Sequence, residues 1–359
     1  GLHVEVLHGK GRRNGQYAAS PHTDGLTRRE YRSLAVSLST RRREYYLPFQ
    51  PGLVQAVRKG SFDAVILEGA SNALNNIFLA RVCRRRGIPY IAWDAGRIPG
   101  EAVPFLRRPV RRTLERFYQG AAAIIGYADS SRAYFRSLGI PAHRLWTAYN
   151  SVDTRALDAD RRRLLSDPAA IRRQRQALFP ACDRVLLYIG ALEPRKRIDL
   201  LFEALDRQPE ARHWGLLVVG DGRARQRLER RAAGSHLRKV LFTGAVRADR
   251  GRFFLLADAA VFPGSGSLAI LDALAYGLPV VAVRAGGPEF EAIEDGLTGL
   301  LVQPGDPGHL AVQLLRVGGS PLAEERAIEA ARSRFLERYS LEAMARVFTT
   351  VLGRVPCAS

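Results

Sequence analysis

The stretch Ala260-Val-Phe-Pro-Gly-Ser-Gly-Ser-Leu-Ala-Ile-Leu-Asp-Ala-Leu-Ala-Tyr-Gly-Leu-Pro-Val-Val-Ala-Val283 carries the reading of the whole chain. It runs as a short apolar strand, a turn rich in Gly and Ser, a helix, a Gly-Pro break and a second buried strand. A Gly/Ser turn that opens a helix presents backbone N–H groups with no helical partner, and these suit a phosphate. The turn residues Ser265, Gly266, Ser267 and Leu268 are the candidate phosphate ligands, and the carboxylate of Asp272 follows on the same helix. A phosphate site beside an acid points to a nucleotide-linked ligand.

The same alternation of strand and helix recurs on both sides. Upstream in the second half, residues 184–190, 214–220, 240–244 and 259–262 read as strands, with helices over 198–205 and 224–233. Residues 280–283 and 299–302 complete that series. In the first half, strands are expected at 2–8, 63–67, 88–93, 121–126 and 145–149, with helices over 73–86 and 130–138. Short apolar strands separated by helices argue for parallel sheets covered on both faces. Two such α/β domains suit a chain of 359 residues. The expected division is a first Rossmann-like domain over 1–152, a helical linker over 153–180, a second Rossmann-like domain over 181–335, and a C-terminal segment over 336–359. Ser340 stands where it can cap the last helix.

The chain opens directly in a strand. A doubly wound domain usually opens with a strand, a Gly loop and a helix, so this first β-α unit is expected to be absent and residues 2–8 to lie away from the sheet centre.

The formal charge is +20, almost all of it arginine. Nucleic acid, an anionic membrane surface and anionic substrates could each answer it, as could an arginine-rich genome. Aromatic residues are not interleaved with the arginines as a stacking platform for bases requires, which sets nucleic acid aside. The segment from Phe105 to Phe117 can form a basic amphipathic face, either for lipid or for burial in its own domain. Cys83, Cys182 and Cys357 are too few and too scattered for a disulfide framework or a zinc site, which suits a reducing, cytoplasmic setting. No stretch of 18 apolar residues occurs.

Other candidates cluster where loops leave strands. Gly190-Ala-Leu-Glu-Pro-Arg-Lys-Arg follows a strand and brings Arg195 and Lys196 to hold a diphosphate and its developing charge. Gly220-Asp-Gly222 and Gly244 end two further strands, and at Gly244 the missing side chain would let a flat base approach. Glu289 and Glu291 lie two apart after another strand. They point the same way if the backbone is extended, and only one faces the site if it is helical. In the first half, Asp94 and the loop Glu68-Gly-Ala-Ser-Asn-Ala73 follow strands. Asn150-Ser-Val-Asp153 marks the junction.

These pieces resemble the retaining GT-B glycosyltransferases of the GT4 family. The resemblance covers roughly residues 60–355 and rests on Tyr188-Ile-Gly190 with Lys196, Val218-Val-Gly-Asp-Gly222, Phe242-Thr-Gly244, Leu271-Asp-Ala-Leu-Ala-Tyr-Gly-Leu-Pro-Val-Val281, Pro288-Glu-Phe-Glu291 and Asp295-Gly-Leu-Thr-Gly299. It implies two Rossmann-like domains facing a cleft and a C-terminal helix that crosses back to the first. It also implies a nucleotide-diphosphate sugar in the second domain and an acceptor in the first. Lys196 would then bind the diphosphate, the Ser267 and Leu268 amides would assist, Asp272 would meet the ribose, and Glu291 would match the post-strand carboxylate. The family's Glu-x7-Glu pattern is altered, with Gly264 and Asp272 in its two positions.

The function expected is transfer of a sugar to a glycan or lipid-linked glycan in bacterial surface polysaccharide synthesis, at the inner face of the cytoplasmic membrane. No Asp-x-Asp stands beside the turn, so no metal and no cofactor beyond the sugar donor is expected. Two alternatives remain: a sugar-nucleotide epimerase of the same shape, and a catalytically weak binding subunit.

Overall fold

The structure is a computed structural model that describes residues 2–9, 27–39, 44–69, 72–96, 108–246, 248–284, 287–319 and 325–356. The chain divides into two compact units, Gly1–Thr147 with Val347–Ser359, and Ala148–Arg346.

The first unit contains β1 (Glu5–Gly9), β2 (Thr27–Tyr31), β3 (Leu34–Ser39), β4 (Glu44–Phe49), α1 (Pro51–Lys59), β5 (Val65–Glu68), α2 (Ala73–Arg85), β6 (Tyr90–Asp94), α3 (Arg108–Gln119), β7 (Ala123–Gly126), α4 (Asp129–Ser137) and β8 (Leu145–Thr147). Strands β5 to β8 form a parallel four-stranded sheet in sequence order. Strand β1 pairs in parallel with β2 in a separate two-stranded sheet, and β3 pairs antiparallel with β4. The core holds Leu79, Cys83, Tyr90, Ile124 and Phe135, with Phe117 and Leu114 from α3 against it. Of the expected amphipathic face, Phe117 is thus buried and Leu114 partly buried in its own unit. Phe105 and Leu106 lie outside the described residues.

The second unit contains α5 (Thr154–Leu165), α6 (Pro168–Leu178), β9 (Arg184–Ile189), α7 (Ile198–Leu205), β10 (Trp214–Val219), α8 (Arg225–Ala233), β11 (Lys239–Gly244), α9 (Gly251–Leu256), β12 (Ala259–Phe262), α10 (Ala269–Ala275), β13 (Val280–Val283), β14 (Gly299–Val302), α11 (Pro307–Gly319) and α12 (Glu325–Arg338). Its six strands are parallel, in the order β11-β10-β9-β12-β13-β14. The unbroken apolar runs of β9 and β10 suit interior strands, covered on both faces. Alternation then sorts their side chains. Val185, Leu187, Leu217 and Val219 face one core, and Leu186, Tyr188, Leu216 and Val218 face the other.

Residues 153–180, expected as a linker, form α5 and α6 of this second unit. Asp153 caps α5 by accepting from the Ala156 amide (2.9 Å), and Arg175 on α6 donates to both oxygens of Asp258 (2.8 and 2.6 Å). In the C-terminal part α12 ends at Arg338, and α13 (Leu341–Arg354) begins after Ser340, where a cap was expected. Ser340 Oγ accepts from the Ala343 amide (3.0 Å), as a cap should. The residues of α13 from Val347 on belong to the first unit, where Phe348 lies edge-on to Trp93 with centroids 5.1 Å apart. Among the described residues no helix is long and apolar enough to cross a membrane.

Candidate active site

The sheet of the second unit reverses its winding between β9 and β12. Chain to one side of this point runs β9, β10, β11, and to the other side β12, β13, β14. The loops that leave the carboxyl ends of the two central strands therefore diverge, and open α/β sheets bind ligands at that place. After β9 comes the 3-10 turn Pro194–Lys196, and after β12 come Pro263 and the turn Gly264 to Leu268 that opens α10. Lys196 bridges the two, its Nζ donating to the carbonyls of Ser265 (3.0 Å) and Gly266 (2.5 Å). Arg195 Nη1 donates to Ser265 Oγ (3.0 Å), and the Ser265 amide donates to the Arg195 carbonyl (3.1 Å).

Gly264 explains how these loops come so close. A Cβ there would lie 2.5 Å from the carbonyl carbon and oxygen of Lys196 and 2.6 Å from the Arg195 carbonyl. These are backbone atoms that cannot swing away. Glycine at 264 is therefore a packing requirement of this backbone.

Lys196 is buried at 6% exposure, though its hydrogen-bond partners among the described residues are neutral carbonyls. Burial pushes its pKa down to about 8, the Arg195 charge adds to the shift, and Glu289 opposes it. Glu289 comes from the 3-10 turn Pro288–Ala292 after β13, where Asn150 Nδ2 donates to its Oε1 (3.2 Å). That turn passes close to the Ser265–Ser267 loop: a Cβ on Gly287 would be 3.5 Å from Gly266 Cα. The backbone is helical here, so the two carboxylates diverge, and Glu289 is the one whose charge reaches Lys196. Glu291 is half-buried in the same turn. The amides of Ser267 and Leu268 donate to no backbone acceptor among the described residues, while Ser267 Oγ accepts from the Ala269 amide (3.3 Å). Lys196, Arg195, the Ser265–Leu268 turn and Glu289 thus converge.

Gly190, Gly220 and Gly244 end three neighbouring strands and serve close backbone packing. The Gly190 amide donates to Val219 (2.9 Å) and the Gly220 amide to Gly244 (2.8 Å). A Cβ on Gly220, at φ +146°, would fall 1.9 Å from the Gly190 carbonyl oxygen. The space over Gly244 is shared with a side chain that the sequence did not single out: Arg225 Nη1 lies 3.2 Å from where its Cβ would be. Arg225 is fixed there by Asp221 (3.2 Å) and Glu229 (2.8 Å), each four residues away, a spacing that could have flagged it.

Two further candidates are buried. Asp272, expected to meet a ribose, is buried within the first turn of α10, its side chain 4% exposed. Its Oδ2 pairs with Arg250 (3.1 Å), its Oδ1 has no hydrogen-bond partner in the structure described, and burial raises its pKa. Arg250 precedes α9 and lay outside every motif. Asp94, expected in chemistry, is held by its neighbours: Oδ1 accepts from the Gly96 amide (2.8 Å) and Oδ2 from the Tyr118 hydroxyl (2.9 Å). It is 4% exposed and holds the turn after β6.

Known families match both units. Residues 1–156 match "Glycosyltransferase Family 4", and residues 183–318 match "Glycosyl transferases group 1". The chain belongs to the GT4 glycosyltransferase family. A GDP-mannose-dependent alpha-mannosyltransferase of Mycobacterium tuberculosis is 28% identical over 266 residues, covering 72% of this chain and 64% of that protein. The sucrose-phosphate synthase of Thermosynechococcus elongatus superposes with a TM-score of 0.70 at 21% identity, covering 98% of this chain and 88% of the other. HepE of Anabaena, solved in complex with UDP, superposes with a TM-score of 0.66 at 21% identity, covering 84% and 81%. The fold class of this GT4 chain is therefore GT-B. It spans between 24% and 64% of the length of the first curated relatives that it matches.

Proposed function

We propose that this GT4 protein is a retaining glycosyltransferase that moves a sugar from a nucleotide-diphosphate sugar to a glycan or lipid-linked glycan in bacterial surface polysaccharide synthesis. The observation that carries the reading is Lys196, a buried ammonium at the winding reversal of the sheet whose hydrogen-bond partners among the described residues are carbonyls. An anion arriving there gains a charge-assisted bond and restores the lysine's ordinary basicity. The mannosyltransferase relative depends on GDP-mannose and HepE was solved with UDP, which supports a nucleoside diphosphate as that anion.

In the transfer, the bond from the anomeric carbon to the phosphate oxygen breaks while the acceptor oxygen bonds to that carbon. The acceptor's hydroxyl proton passes to the leaving diphosphate, which holds the acceptor on the same face and so retains configuration. Lys196, Arg195 and the Ser267 and Leu268 amides stabilise the leaving charge, and Glu289 orients sugar hydroxyls. On this reading the two cations and the amides neutralise the diphosphate, and the reaction is metal-independent. The protein works at the inner face of the cytoplasmic membrane, where its +20 charge favours anionic lipid.

The test is release of nucleoside diphosphate from a panel of nucleotide sugars, with and without lipid-linked acceptors. Lys196→Ala lowers turnover by about 100-fold if the amine stabilises the leaving group. Unchanged turnover removes that role. Interconversion of the donor sugar without acceptor identifies an epimerase, and donor binding without release identifies a binding subunit.

A further inference from the structure

The carboxyl edge of the four-stranded sheet in the first unit carries a second polar cluster, of different character. Glu68 ends β5, and its exposed carboxylate is braced on both oxygens. Tyr127 donates its hydroxyl to Oε1 (3.3 Å) and Asn72 donates Nδ2 to Oε2 (3.1 Å). The backbone beneath is held as well, since Asn76 Nδ2, on a side chain buried at 4% exposure, donates to the carbonyls of Glu68 (3.3 Å) and Gly69 (2.8 Å). Asn72 and Asn76 come from the start of α2, and Tyr127 follows β7.

Trp93, at the carboxyl end of β6, stands edge-on to Tyr127 with ring centroids 5.2 Å apart, and its indole Nε1 has no hydrogen-bond partner in the structure described. Burial and the carboxylates of Glu68 and Asp94 push the Tyr127 hydroxyl well above its ordinary range, so it stays a neutral donor.

The chemistry of this cluster is selective. In a chain of net charge +20, Glu68 has no cationic partner among the described residues. Both groups that brace it are neutral. An exposed carboxylate fixed in direction by neutral donors accepts hydrogen bonds from hydroxyls and repels phosphates. Amides and aromatic edges beside it complete a surface suited to a neutral polyol. The second unit offers the opposite set, with a lysine, an arginine and backbone amides for an anion.

We propose that Glu68, braced by Asn72 and Tyr127, is the acceptor-binding carboxylate, and that the acceptor presents a neutral sugar there, not a phosphorylated or phospholipid headgroup. The proposal rests on the glycosyltransferase reading for the word acceptor, but the binding itself does not need a donor. Glu68 is a positioning residue that holds a hydroxyl of the acceptor sugar.

The test uses saturation-transfer NMR on the full chain. The probes are methyl α-glucoside, methyl α-mannoside and methyl α-galactoside, with glycerol 3-phosphate as the anionic competitor class and UDP and GDP as separate donor-site probes. At least one methyl glycoside is expected to show transfer, to lose it about tenfold or more in Glu68→Ala and Glu68→Gln, as loss of a bond to a charged group requires, and to be indifferent to UDP. Tyr127→Phe is expected to weaken it by a smaller factor. Thermal midpoints of the Glu68 variants should match the parent, since the side chain is exposed. Transfer to none of the glycosides, transfer that survives both Glu68 variants, or a preference for glycerol 3-phosphate overturns the proposal. Failure of UDP and GDP to bind, with glycoside binding intact, counts against the donor reading alone.

Discussion

Raising the pH should switch off donor capture through one lysine. Lys196 has its pKa lowered to about 8, first by burial and then by the neighbouring charge of Arg195. With that value, about 90% of the free protein carries the charged amine at pH 7 and about 10% at pH 9. If the ammonium binds the diphosphate, kcat/KM for the donor falls about tenfold between those points, because that ratio reports the free enzyme. The kcat limb should lie higher, since a bound diphosphate stabilises the charged amine. Two variants sharpen the test. Lys196→Arg keeps its charge throughout and should flatten the limb. Arg195→Ala removes one of the causes of the depressed pKa and should move the limb to higher pH. The assay is initial-rate nucleoside diphosphate release at subsaturating donor across pH 6.5 to 9.5. A flat profile in the parent, or a limb unchanged in Lys196→Arg, refutes the assignment.

The same lysine gives a stability signature. Its folded pKa is below the unfolded one, so between about 8 and 10.5 the unfolded chain binds more protons and native stability rises with pH. Lys196→Met should remove that rise in urea melts taken across the window. Gly264→Ala puts a Cβ 2.5 Å from Lys196 backbone atoms, and should cost about 1–3 kcal/mol in chemical denaturation while weakening UDP or GDP binding. Gly264→Glu should behave no better, because the obstruction is the Cβ itself. Arg250→Ala leaves the buried Asp272 without its cation and should lower the thermal midpoint, while Asp272→Asn in that background should recover part of the loss. Full additivity of the two substitutions would show that the pair is not coupled.

Much of the molecule is legible in its residues. Apolar runs such as Val185 to Ile189 and Leu216 to Val219 announce interior strands, because a strand covered on both faces has no polar side to show. The less apolar edges were not legible. Strand β2, Thr-Arg-Arg-Glu-Tyr, is exposed along almost its whole length and has no alternation to read. The short α9, Gly-Arg-Phe-Phe-Leu-Leu, offers less than two turns of pattern. Lys196 was findable because cations beside a strand-end loop are a local signal. Its burial and depressed pKa were not, since they depend on a turn 69 positions away.

Local periodicity and turn chemistry therefore settle which elements form and which loops leave their carboxyl ends. Pairing between distant side chains is settled by the packing of those loops. Asn150 meets Glu289 across 139 positions and Tyr127 meets Glu68 across 59, and no spacing rule reaches that far. Gly264 shows the division within one turn. Its place in the motif is readable from the chain, but the reason for it is the Lys196 backbone pressed against it, and that contact exists only once the sheet has brought β9 and β12 side by side.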